Sequence, residues 1–182
     1  MQILFEDQTG KDANTIAFPS LIMCMGVVVE MNDGALLGAH VTPSDKETSV
    51  MNALLNEVNQ HGGAMSRMYC ASHYAKHTGY GAGTVAQKAN AIGFHGTAYL
   101  IDLDNKSKSS AETYVDVTNN GGSRCRMRYK RMAKIEKVYG NIPGGTGVVD
   151  LKLKTKKNIF KNDVPGTWHT IGNRDLTTIT IP

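Results

Sequence analysis

Apolar positions along the chain fall into short runs that alternate between strand-like and helix-like spacing. Leu21 to Val29 is apolar and turns β-branched toward its end, Asn32-Asp33-Gly34 follows, and Leu36 to Val41 is apolar again. An Asx-Gly step between two apolar runs is a tight-turn signal, so this pattern predicts a β-hairpin. Ser44 with Glu47 three positions on reads as a capping box ahead of Met51, Leu54, Leu55 and Val58 at helical spacing, with Gly62 and Gly63 closing that helix. Arg67 to Tyr74 reads as a strand, Gly79 to Gly83 as a turn, and Thr84 to about Gly93 as a second helix. Strands are then expected at Ala98 to Leu103, Thr113 to Thr118, Arg124 to Met132, Val148 to Leu153 and Leu176 to Ile181, separated by turn clusters such as Asn119 to Gly122. The sum is an α+β domain, a strand-rich sandwich-like sheet core with about two flanking helices, spanning 1–182 as one unit.

Composition adds limits to that picture. A chain of 182 residues with 41% hydrophobic residues can build a core without a metal or disulfide staple. Its longest apolar candidate, Ile16 to Val29, is interrupted by Pro19, Ser20 and Gly26 and falls short of the roughly 20 apolar residues a membrane helix needs. Met1 to Gly10 carries Glu6 and Asp7 and does not read as a secretory signal, so the expectation is a cytoplasmic protein or one exported by a dedicated secretion system, with no membrane partner. Three cysteines, Cys24, Cys70 and Cys125, are too few and too irregular for a disulfide framework.

Charge is distributed unevenly. Residues 121–161 hold twelve Lys and Arg against two acids, inside a chain whose net charge is only +4. Arg124, Arg126, Arg128 and Lys130 alternate, as do Lys152, Lys154 and Lys156, so on strands each set shares one face. Two such strands side by side would present a positive plate to a partner with an acidic surface or, in the alternative reading, to nucleic acid.

The spacing with most chemical content is Cys24 to His40. A hairpin turning at Asn32 to Gly34 makes these two positions cross-strand neighbours. A cysteine beside a histidine ionises more readily, and the thiolate can attack an amide carbon while the imidazolium protonates the departing amine. Cys70, His73 and His77 have zinc-ligand types, but a strand would send Cys70 and His73 to opposite faces, so neither metal nor cofactor is expected. Gly79, Gly81 and Gly83 match no phosphate-binding fingerprint and read as a turn leading into a helix.

The segments Cys24-Met25-Gly26-Val27-Val28-Val29, Asn32-Asp33-Gly34 and Gly38-Ala39-His40-Val41-Thr42-Pro43 resemble the nucleophile and histidine strands of cysteine glutamine deamidases. Two branches are similar: the chemoreceptor deamidase CheD and the catalytic domain of the cytotoxic necrotizing factors. Both place their histidine some fifteen to seventeen positions after the cysteine, and the order of elements from Phe18 to Arg131 follows CheD. The chain departs from them at Ile22 and Met23, where CheD has glycine and serine, and at Met25, where the necrotizing factors have threonine. The resemblance implies a protein glutamine deamidase or transglutaminase with Cys24 as nucleophile and His40 as base. It also implies a third group orienting the histidine, an upstream threonine in one branch and a backbone carbonyl in the other. Ser20, Thr42 and His77 are the side chains considered for histidine orientation or for the cleft, and Arg126, Arg128, Lys152 and Lys154 for docking a protein substrate. A toxin of this kind would also need a delivery or immunity partner.

Overall fold

In a computed structural model, the structure describes residues 1–73, 82–104, 113–131, 139–141, 148–150 and 167–182. The α+β sandwich expected from the sequence is what forms: two β-sheets face each other, and two helices cover the outer face of one of them.

The helix-covered sheet has six strands. In chain order these are β2 (Thr9–Asp12), β4 (Met25–Met31), β5 (Leu36–Val41), β6 (Met65–Ser72), β7 (Gly96–Asp102) and β13 (Leu176–Ile181), arranged β13-β7-β6-β4-β5-β2. Only β6 and β7 run parallel, and the crossover between them carries helix α2 (Ala82–Ala91). Helix α1 (Glu47–His61) follows β5. The second sheet has the order β1-β3-β8-β9-β12, from Gln2–Ile3, Thr15–Leu21, Thr113–Asn120, Ser123–Arg131 and His169–Thr170. A separate antiparallel pair joins β10 (Tyr139–Asn141) to β11 (Val148–Asp150), and a 3-10 turn over Asn173–Asp175 precedes β13.

Strand alternation sorts the interior into two layers. Met25, Val27 and Val29 of β4 turn toward Val50, Leu54 and Val58 of α1 and Val85 and Ala89 of α2. Cys24 and Val28 turn the other way, toward Ile16, Phe18, Val115 and Val117 of the facing sheet. All seven residues of β4 are buried, which is why its sequence is apolar on both faces rather than alternating.

The sheets approach closely at two glycines. A methyl group at Gly38 would stand 3.0 Å from Ile16, and one at Gly26 would stand 2.6 Å from the Phe18 ring. Ile16 and Phe18 of β3 therefore seat into gaps that only glycine leaves open. At the far end of β4, buried Glu30 receives Tyr69 Oη at 2.7 Å and Arg67 Nη1 at 3.2 Å, and Tyr69 Oη in turn accepts from the Cys125 backbone N–H at 2.9 Å. This network joins the two sheets through satisfied polar groups. Burial and the bond to Glu30 raise the Tyr69 hydroxyl far above the ordinary tyrosine range, which keeps it a donor.

The expected capping box does not form. Lys46 takes the N-cap position with helical backbone and no side-chain cap, while Ser44 Oγ accepts from Lys46 N at 3.2 Å and lies 2.8 Å from Thr42 Oγ1. Ser44 is spent on the turn that follows Pro43, a local bond with which a helix cap competes.

Candidate functional site

The site is built on the β4–β5 hairpin. Gly34 takes a left-handed conformation (φ 87°), its N–H bonds to Met31 O at 2.9 Å, and Met31 N bonds to Ala35 O at 2.8 Å, which fixes the register. Gly26 stands directly opposite His40 and Met25 opposite Val41. Cys24 lies one residue before β4 and two before Gly26, so strand parity puts it on the face that Gly26 and His40 share. Both are buried, Cys24 at 3% exposure and His40 at 0%. The residue before the cysteine, Met23, is 55% exposed.

His40 is held by groups from three strands' worth of chain. Its Nδ1 lies 2.9 Å from the carbonyl oxygen of Leu4. A carbonyl can only accept, so Nδ1 carries the proton and Nε2 the lone pair, the tautomer a general base needs. The Phe18 ring meets the imidazole edge-on, with centroids 5.8 Å apart and planes at 87°. The backbone of His40 is bonded on both sides to the same N-terminal turn, His40 N to Gln8 O at 2.9 Å and Asp7 N to His40 O at 2.8 Å. Sequence reasoning missed this turn and strands β1 to β3 as elements. A backbone carbonyl has no sequence signature, and the two- and four-residue strands β1 and β2 are too short to show a period.

The other candidates fall as follows. Thr42 Oγ1 bonds to Asp7 Oδ1 and to Ser44, not to His40, and so braces the turn that carries the Leu4 carbonyl's neighbours. Ser20 lies in β3, where the register with β8 shifts between Phe18 and Leu21. His77, Lys152 and Lys154 lie outside the described residues, as does most of the glycine turn from Gly79 to Gly83. Arg126 is exposed on the outer face of the second sheet. Arg128 is engaged there by Asp116 through two bonds, one at 3.1 Å and one at 2.5 Å, and lies 4.4 Å above the Trp168 ring. Lys130 is buried with its ammonium 4.3 Å from the same ring. By strand parity the four alternating cations of β9 share one face, but the Arg124 guanidinium lies 5.5 Å above the Tyr99 ring of β7, and Trp168 covers the end that holds Arg128 and Lys130.

His73 illustrates a different arrangement. Its Nδ1 lies 3.0 Å from Asp104 Oδ1 and its Nε2 3.1 Å from Thr113 Oγ1, so it bridges the end of β6 to the facing strand β8. Cys70, with the opposite strand parity, packs on the helix side. Among the described residues no group of three or more His, Cys, Asp or Glu could hold a metal ion.

Burial separates the three thiols chemically. It pushes Cys70 up to about 12, against an opposing effect of Lys88, and it pushes Cys125 up to about 12 against the lowering effect of the neighbouring Tyr69 hydroxyl. Both should therefore resist iodoacetamide on the folded protein at any pH below about 10 and react only on unfolding, which peptide mass spectrometry would read residue by residue. Rapid native labelling of either would contradict the burial argument.

A cavity of about 370 Å3 lined by Glu30, Asp33, Arg67 and Asn119 opens at the turn end of β4, the end away from Cys24. No helix among the described residues is long and apolar enough to cross a membrane. No protein-family model matches the chain, and no curated protein matches it.

Proposed function

We propose that the chain is a cysteine-dependent protein glutamine deamidase, with Cys24 as nucleophile and His40 as general base and acid. The observation that carries this reading is the bond from His40 Nδ1 to the Leu4 carbonyl, on the strand next to the cysteine. It supplies the backbone orienting group that the resemblance to the necrotizing-factor branch calls for. Any buried histidine satisfies a ring donor this way; for a base the same bond also leaves the Nε2 lone pair of the neutral ring available to take a proton.

The reaction follows from these roles. His40 Nε2 takes the thiol proton, and the thiolate sulfur forms a bond to the carboxamide carbon of a glutamine side chain. As the tetrahedral adduct collapses, the C–N bond breaks and the imidazolium returns its proton to the nitrogen, releasing ammonia. Water deprotonated by His40 then adds to the thioester, the C–S bond breaks, and glutamate and the thiol are regenerated. A primary amine in place of that water gives transglutamination. Exposed Met23 beside buried Cys24 marks where a protein substrate would press to reach the thiol.

The alternative, a non-enzymatic module binding nucleic acid or an acidic protein through β9, has less to work with on the described face. Arg128 is neutralised by Asp116, and Trp168 lies over Lys130. In the enzyme reading, exposed Arg126 contributes to docking an acidic protein partner. Delivery by a secretion apparatus, or a housekeeping role on a chemoreceptor, are the two settings such an activity fits.

The test is the pH profile of Cys24 alkylation on the native protein. An activated pair gives a midpoint below pH 8 that rises by about two units or more in His40→Asn. The midpoint is the sound readout, because a thiolate of lower pKa is also intrinsically less nucleophilic and the rate at a single pH partly conceals the shift. If Cys24 stays inert until the protein unfolds, it is a core residue and the deamidase reading fails.

A further inference from the structure

One peptide group in the N-terminal turn is bonded at both ends to side chains. The carbonyl between Leu4 and Phe5 lies 2.9 Å from His40 Nδ1, and the N–H of the same peptide donates to Gln8 Oε1 at 3.1 Å. Gln8 is 2% exposed. Because Phe5 N–H can only donate, the oxygen of the Gln8 amide must face it, and the amide orientation is fixed. That choice leaves Gln8 Nε2 buried without a hydrogen-bond partner. An unbonded buried NH2 is destabilising, a cost set against the acceptor that the same side chain supplies to the Phe5 N–H.

The backbone closes the same loop. Gln8 N bonds to Phe5 O at 3.1 Å, Gln8 O accepts from His40 N, and Asp7 is held at φ 61°, a left-handed conformation rare outside glycine. Thr9 pairs with Ala39, so Gln8 stands across from His40 in the continuing ladder. The turn presents one oriented carbonyl to the imidazole, and the Gln8 side chain fixes the tilt of that peptide plane.

We propose that Gln8 is a positioning residue for His40, acting through the Leu4–Phe5 peptide. Accepting from the Phe5 N–H polarises the peptide and makes the Leu4 oxygen a stronger acceptor, since hydrogen bonds in a chain reinforce one another. The stronger acceptor holds the Nδ1–H tautomer and steadies the imidazolium that forms when Cys24 loses its proton. Without it the imidazole can take the other tautomer, which has no lone pair on Nε2 to accept the thiol proton. The proposal rests on the reading of Cys24 and His40 as a proton-transfer pair.

The experiment is nitrogen NMR of the His40 ring across pH, with the Cys24 alkylation midpoint measured on the same samples. Wild type, Gln8→Leu and Gln8→Glu are compared. In Gln8→Leu the Nδ1–H tautomer should lose its dominance and the alkylation midpoint should rise by about one unit, tenfold in thiolate at fixed pH. Gln8→Glu is nearly isosteric and keeps an oxygen for Phe5 N–H, so it should retain the tautomer and hold the midpoint at or below the wild-type value. A folded Gln8→Leu with unchanged tautomer and midpoint overturns the proposal. Should Gln8→Leu fail to fold, Gln8→Glu still decides it: its anionic form must raise the His40 titration above wild type, and no change overturns the idea. If His40→Asn leaves the Cys24 midpoint where it was, the deamidase reading fails, whereas the tautomer response to Gln8 still reports whether Gln8 positions the ring.

Discussion

Cys24→Ser and His40→Asn should each lower ammonia release from a panel of intact proteins, casein among them, by roughly 1,000-fold or more, with the folded state retained. The variants are chosen from the geometry. Serine keeps the volume of Cys24 but offers a hydroxyl that neutral imidazole alone ionises poorly. Asparagine places an amide nitrogen near the position of Nδ1, so the donor to Leu4 O survives while the base is gone. His40→Ala is a poorer choice, because it opens a cavity beside Phe18 and strands a buried carbonyl, which costs about 2–4 kcal/mol of stability and confuses lost chemistry with lost structure. Residues acting as one unit are not additive, so the double variant should be no slower than either single one. Two independent tenfold effects that multiply would mean the residues do not share a step, and full activity in either variant would remove the assignment.

What the sequence made legible here is local, and what it concealed is non-local. The turn at Asn32 to Gly34 is written in residue types with a known backbone preference, so the hairpin and the nearness of Cys24 to His40 could be read directly. Strand parity likewise put Cys70 and His73 on opposite faces. Parity also placed Arg124 to Lys130 on one face, but the partner that neutralises Arg128 is Asp116, directly opposite on β8, and that pairing depends on sheet register. Trp168 lies half-buried over the outer cations, a contact set by where the chain returns after β9. The group that orients His40 was the least legible, because any residue at position 4 could supply a carbonyl. Only the parallel pairing of β1 with β3, which carries Leu4 N to Ala17 O at 2.9 Å, brings that carbonyl to the ring.

The same close approach of the two sheets leaves Gly26 the least room for an added methyl among the described glycines. Gly26→Ala would put a methyl carbon 2.6 Å from Cδ2 and 2.9 Å from Cε2 of Phe18, well inside contact distance, in a region where neither side has room to retreat. The methyl cannot turn away, since the face of β4 it projects from is fixed by pairing to both β5 and β6, Gly26 standing opposite His40 on one side and Ala71 on the other. The Phe18 ring must shift instead, and overpacking of this kind costs about 1–3 kcal/mol. For a chain of this size that corresponds to a fall in Tm of roughly 2–12 °C, readable by calorimetry. The displaced ring is also the one that meets His40 edge-on, so the Cys24 alkylation midpoint should rise in the same variant. Phe18→Leu in the Gly26→Ala background removes the ring atoms that clash and should recover part of the lost Tm, although Phe18→Leu alone destabilises. A sum of the two single effects, with no recovery, would show that the glycine is not kept for the ring.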